Sequence, residues 1–290
     1  MNTYVWLIRR EFWENKAIWV LPALLGIALI LAALFGRVDV DVVSTEQHRA
    51  NAETVLIGFG AVFYAVMSLY STWYLLDCLY ADRKDRSVLF WKSLPISDTA
   101  TVLSKVLVGL IVIPLVCFLA VDFASVLVAF IVSLRTRWSM GSALWQPDMW
   151  LELQVLWLYV IASAALWYLP LTGWLLVVSA WAKRAVMLWS ILPPLAAILA
   201  ERLFLGTHTV WDVVQNRLFG YSLAFHVVTR GSLEGADSSD GPDLVVAPIR
   251  TLDLLNPHGL LSSSATWIGA LVGALLVFGA IQLRMRRTEP

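Results

Sequence analysis

The chain has 290 residues, of which 59% are hydrophobic and 14% charged, with a mean hydropathy of +0.74. Soluble domains run at about 45–50% apolar and about 25% charged, and a soluble core cannot absorb that excess. Lys and Arg together number 21, as do Asp and Glu, so the formal net charge is zero; neither a nucleic-acid footprint nor an acidic tail is present. The composition is that of an all-α, polytopic integral membrane protein.

Taken in chain order, residues 1–16 read as an amphipathic helix in the membrane interface. Val5, Ile8, Phe12 and Trp13 share one face, Arg10, Glu11 and Glu14 point away, and Arg9 is placed to snorkel. Six apolar stretches near the required length of about 20 residues follow. They are Ala17–Phe35, Val55–Tyr80, Val102–Leu134, Leu151–Trp181, Ala185–Ala200 and Ser264–Leu283. The first is longer than the apolar segment of a signal peptide and is expected to stay as a span. Pro114 and Pro170 are expected to bend the third and fourth spans. The pair Pro193–Pro194 is expected to break or kink the fifth. Gly269 and Gly273 form a small-residue motif suited to close helix packing in the last span. Cys78 and Cys117 both lie in apolar runs and read as packed thiols, not a disulfide.

Basic residues set the orientation. With six spans, the segments 1–16, 81–101, 182–184 and 284–290 share one side and hold twelve Lys and Arg in 47 residues, against eight in 98 on the other. This roughly threefold density difference places both termini in the cytoplasm by the positive-inside rule. Trp19, Trp73, Tyr74, Trp138, Trp150, Trp181 and Trp267 fall near span ends, as an aromatic belt would. The long segment 201–263 is then external. It combines a Gly-, Ser- and Asp-rich loop with a short surface helix around Trp211, Val213, Val214, Leu218 and Phe219.

Chemistry-bearing motifs are missing. The sequence contains no GxxxxGK[ST], no HExxH and no GxSxG. His48, His208, His226 and His258 are scattered over segments assigned outside the membrane, without metal-ligand spacing. An enzyme is therefore not expected, and neither is a bound cofactor or metal. Asp122 is the one ionisable residue well inside a span. An acid there costs about 2.5–3.5 kcal/mol at mid-bilayer, so it is either a paired structural residue or part of a transport route.

The cytoplasmic loop 81–101 is the most informative segment. Asp82-Arg83-Lys84-Asp85-Arg86 reads as a solvated charge cluster, Val88-Leu89-Phe90-Trp91 as an apolar patch that needs covering, and Lys92-Ser93-Leu94-Pro95 as the end of a helix. Ser97 or Asp98 can cap the helix that follows. The stretches YVWLIRREFWENKAIW and LYADRKDRSVLFWKSLPISDTATVLSKVL resemble those of bacterial ABC-2-type transporter permeases. By that resemblance, residues 1–16 would be the elbow helix, with Val5, Ile8, Phe12 and Trp13 as its apolar face. Residues 17–200 would hold spans one to five, and 264–290 the sixth span and a cytoplasmic tail. Arg86, Val88, Leu89, Phe90, Trp91, Lys92 and Leu94 would form a coupling helix docked on a separate ATPase. The resemblance implies a homodimer in the inner membrane with two ATPase subunits, which bind the ATP and Mg that drive export. The alternative of a different class is a non-transporting accessory or immunity subunit of the membrane.

Overall fold

The computed structural model describes residues 3–36, 45–84, 97–225 and 251–286. Among them the secondary structure is helical, with one isolated antiparallel bridge between Phe225 and Leu255. An interfacial-length helix, α1 (Thr3–Glu14), is followed by α2 (Ala17–Phe35), α3 (Thr45–Lys84), α4 (Asp98–Arg135), α5 (Pro147–Trp167), α6 (Leu169–Trp181), α7 (Val186–Phe204), α8 (Thr209–Phe219) and α9 (Ser264–Arg286). Six of these, α2, α3, α4, α5, α7 and α9, are long and apolar enough to cross a membrane. Only between 11% and 39% of each spanning window is buried within the chain. The remaining apolar surface faces lipid or another chain, because water would not tolerate it.

The expected fourth span, Leu151–Trp181, divides into α5 and α6 at Tyr168. Pro170 lies in the first turn of α6, where its missing N–H is no loss. Trp167, at the end of α5, is fully buried and anchors a cluster of Tyr159, Tyr168, Tyr221, Phe225 and Leu260. The guanidinium of Arg217 from α8 lies 4.5 Å from the centre of the Trp167 ring, and donates to the carbonyls of Trp167 (3.1 Å) and Ala265 (2.7 Å). One side chain thus ties α8, the α5–α6 break and the start of α9 together.

The other prolines act through their backbone partners. In α4, residues Val108–Val112 form a π-helical turn just before Pro114, and the Ile113 N–H bonds to the Val108 carbonyl. In this register residue 114 would donate to the carbonyl of Gly109, which proline cannot do. Ser71 of α3 supplies the missing donor, its hydroxyl lying 2.6 Å from the Gly109 carbonyl oxygen. Of the break or kink expected at Pro193–Pro194, a break is not what forms: α7 runs as one helix through both. Pro194 leaves the Ser190 carbonyl without its helical donor, and the Trp174 indole N–H of α6 replaces it at 3.0 Å. A neighbouring side chain thus satisfies the carbonyl freed by Pro194.

Helix ends are likewise closed by side chains. Arg83 donates to the carbonyls of Ser179 and Ala182 at the end of α6, the latter at 2.8 Å. Arg135 does the same for α2, reaching Ala33 (2.6 Å) and Gly36 (2.7 Å). Both place a cation on the negative end of a helix dipole. Glu201 serves the opposite polarity, accepting from the N–H groups of Thr209 (2.8 Å) and Val210 (2.7 Å) at the start of α8. The main core gathers residues of α2, α3, α4, α6 and α9. Cys78 and Cys117 are free thiols buried within it. α6 and α9 approach closely at their glycines. A Cβ built on Gly173 would lie 2.8 Å from the Gly273 carbonyl oxygen, and one on Gly273 only 2.6 Å from the backbone carbon of Leu169.

Candidate functional site

α1, the last turn of α3, the first turns of α4 and the last turn of α9 meet at one end of the bundle. Their charged side chains form a single buried node. Glu11 is 1% exposed and Lys105 also 1%, with the ammonium 3.0 Å from Glu11 Oε1 and 3.5 Å from Asp82 Oδ1. The Arg284 guanidinium bridges Asp82 Oδ2 (3.1 Å) and Asp98 Oδ1 (3.0 Å). Arg10 adds 2.8 Å to Glu11 and 3.8 Å to Asp82, while the Tyr74 hydroxyl donates to Glu11 Oε2 at 2.8 Å. Asn15 donates to the same oxygen at 3.3 Å.

Local sequence explains why these groups can converge. The Ser97 hydroxyl accepts from the Ala100 N–H at 3.1 Å and so caps α4. Asp98 is thereby left to bind Arg284. The α1–α2 junction at Asn15–Lys16 turns the chain so that α1 lies across the helix ends, with Glu11 turned inward. A buried charge survives only when paired and hydrogen-bonded. Each carboxylate of the node has at least one cation, and Glu11 has two in addition to two neutral donors. Two groups of α1 at the node are shifted from their ordinary values. Burial lowers the tendency of Arg10 to hold its proton, but the carboxylates of Glu11, Glu14 and Asp82 outweigh it and raise its pKa. Burial raises the Glu14 carboxyl above the usual range, partly opposed by Arg10.

This geometry corrects several expectations. Glu11 and Arg10 do not point to solvent, because α1 packs its polar side onto the charged helix ends. Asp82 is not part of a solvated cluster but is 7% exposed inside the node. Tyr74 is buried rather than belted, its hydroxyl committed to Glu11. The other belt residues Trp19, Trp73, Trp138, Trp181 and Trp267 are exposed, and Trp150 donates to the Leu144 carbonyl at 3.0 Å.

The expected face of α1 divides. Ile8 and Phe12 pack on the main core, together with a buried Leu7, whereas Val5 and Trp13 are exposed. Asp122 accepts from the Gln154 amide across the α4–α5 contact. Gly269 and Gly273 are both buried in α9. Gly273 faces the start of α6, and Gly269 lies under the Arg217 guanidinium. Arg86, Val88, Leu89, Phe90, Trp91, Lys92 and Leu94 lie outside the described residues. Their segment is bounded by Asp82 on one side and Asp98 on the other, and both aspartates bind Arg284.

Sequence reasoning missed the node because its members are far apart in the chain and each reads alone as an ordinary flanking charge. The available signal was that Glu11, Asp82, Lys105 and Arg284 all occur within a turn or two of a span end on the same side. A second pairing was also missed at the opposite end of the bundle. There Arg49 of α3 reaches Asp148 (2.6 Å) and Glu152 (3.7 Å) of α5. Among the described residues, no three His, Cys, Asp or Glu side chains gather as a metal site. Comparison with family models, with curated proteins and with solved structures gives no match for the chain.

Proposed function

We propose that the chain is the membrane-spanning subunit of an ATP-driven ABC exporter. In this reading it works as a homodimer in the bacterial inner membrane, with its termini cytoplasmic and with hydrolysis carried out by separate ATPase subunits. The observation that carries the proposal is the bracketing of segment 85–96 by Asp82 and Asp98, both held by Arg284. A partner that moves this segment must act on those aspartates. Through Lys105 and Glu11 the same displacement reaches α1, and through Arg284 it reaches α9. Coupling requires an element that passes on discrete rearrangements, and the node joins the helices that such a rearrangement would move. The large uncovered apolar surface of the spans supports assembly with a second copy.

The test is substitution of the anchors between Arg86 and Lys92. Truncating an aromatic hot-spot residue commonly costs about 2 kcal/mol or more, or roughly 30-fold in affinity. Phe90→Ala and Trp91→Ala should leave membrane insertion and permease dimers intact. At least one of them should weaken ATPase capture in a pull-down or separate hydrolysis from transport. Normal ATPase binding together with normal substrate-stimulated hydrolysis in both variants would remove the proposal.

A further inference from the structure

Beside the node, a cavity of about 620 Å³ opens between the α1–α2 junction and the last turns of α3. That size falls within the usual range for ligand sites of about 300–1,000 Å³. Its inner wall is formed by Glu11, Tyr74, Asp82 and Lys105, which already satisfy one another. Its outer wall differs. Lys16 and Asp77 are exposed there and, among the described residues, neither takes part in an ion pair; Trp73 beside them is 59% exposed.

Trp73 and Asp77 are four residues apart on α3 and so lie one above the other on one face. A carboxylate standing over an indole is suited to a primary ammonium, which has three N–H donors for the carboxylate and a charge for the ring. Half-exposed Glu14 adds a second carboxylate at the same mouth. Lys16, at the α1–α2 junction, supplies a cation for an anionic group. The cavity thus offers opposite charges side by side, which matches a zwitterion and disfavours a purely anionic ligand.

Position narrows the class further. Asp77 precedes the end of α3 at Lys84 by seven residues, or about 10 Å along a helix. The next turns of the same face expose Trp73 and then Leu69, the latter 73% exposed. A ligand seated on Asp77 therefore continues onto apolar surface at the depth of the hydrocarbon. We propose that this cavity binds the head group of an aminophospholipid of the phosphatidylethanolamine type. Its ammonium would sit on Asp77 and Trp73, its phosphate on Lys16, and its acyl chains along Leu69. The inference rests on the membrane-spanning fold and not on the exporter reading.

Native mass spectrometry of the full chain in micelles, titrated with phosphatidylethanolamine, phosphatidylcholine or phosphatidylglycerol, tests it. The ethanolamine lipid should be retained at least about fivefold better than the other two, which corresponds to about 1 kcal/mol. Asp77→Asn should remove most of that preference, whereas Lys16→Gln, which removes the partner of the phosphate common to all three, should weaken retention of each lipid about equally. Lipid-free melting temperatures should stay unchanged, since both side chains are exposed. Equal retention of the three lipids, a preference that survives Asp77→Asn, or retention untouched by Lys16→Gln overturns the proposal. Displacement of the lipid by millimolar O-phosphoethanolamine, with no contribution from the acyl chains, would assign the site to a soluble zwitterion instead and overturn the lipid assignment.

Discussion

Lys105 bridges two buried carboxylates, so its removal takes a shared cation from both and leaves Arg10 on Glu11 and Arg284 on Asp82. Breaking a buried pair by removing one partner costs about 3–5 kcal/mol. Losing a single hydrogen bond to a charged group costs about 1.5–3 kcal/mol. Lys105→Met should therefore lower the melting temperature of the purified chain clearly more than Tyr74→Phe, which removes only the hydroxyl on Glu11. Equal effects would mean that the node is hydrated and not dry. Glu14, at the edge, gives a pH signature. Its carboxyl is raised in the folded chain by burial, so above the ordinary carboxylate range the folded state binds more protons than the unfolded one. Stability then falls as pH rises through the window between the ordinary value and the raised one. Glu14→Gln should flatten that fall in melts taken across the window, and an unchanged slope would assign it to another group. None of this was legible from the N-terminal pattern. A helical wheel sorts residues by polarity and so turned Glu11 and Arg10 outward; it carries no information that the neighbouring surface is a ring of charged helix ends.

For the helices themselves, sequence pattern was a good guide to existence and a poor one to continuity. Ala17–Phe35 is α2 to the residue, because an apolar run bounded by Lys16 and Gly36 has only one reading. The effect of a proline depends on whether a neighbour replaces the missing donor. Trp174 does so at Ser190 and keeps α7 whole, while Ser71 does so at Gly109 beside a π turn. The glycines separate in the same way by surroundings. An added methyl at Gly273 meets the backbone of Leu169 and Pro170 at 2.6 and 2.7 Å, whereas at Gly58 nothing lies within 4 Å. Backbone cannot rotate aside as a side chain can, so overpacking there costs about 1–3 kcal/mol. Gly273→Ala should thus destabilise the α6–α9 pair by that amount. Gly58→Ala, in mid-α3, should be neutral or stabilising by up to about 1 kcal/mol through helix propensity. Thermal melts of the two variants in the same detergent check the order, and a Gly58→Ala penalty as large as that of Gly273→Ala would refute the packing account.

At the scale of the whole molecule, the segments grouped on one side by counting spans do come together. α1, the end of α3, the start of α4 and the end of α9 share the ionic node, and Arg83 joins them to the end of α6. Six spans imply that grouping; charge decides which way it faces. The node neutralises Arg10, Lys105 and Arg284 against acids, which appears to weaken an argument from positive charge. It does not, because orientation is fixed during insertion by the number of Lys and Arg beside each span, and Asp and Glu contribute little. Twelve basic residues in 47 against eight in 98 therefore remain the support for the proposed cytoplasmic side of the node end. Two serines far apart in the chain make the test, Ser93 between α3 and α4 and Ser238 between α8 and α9. With Cys78 and Cys117 buried as free thiols, a cysteine introduced at Ser238 should react with a membrane-impermeant maleimide in intact cells. One introduced at Ser93 should react only after the membrane is opened. The reverse pattern would turn the whole bundle over, moving the node, the loop it brackets and the lipid cavity to the outer face together.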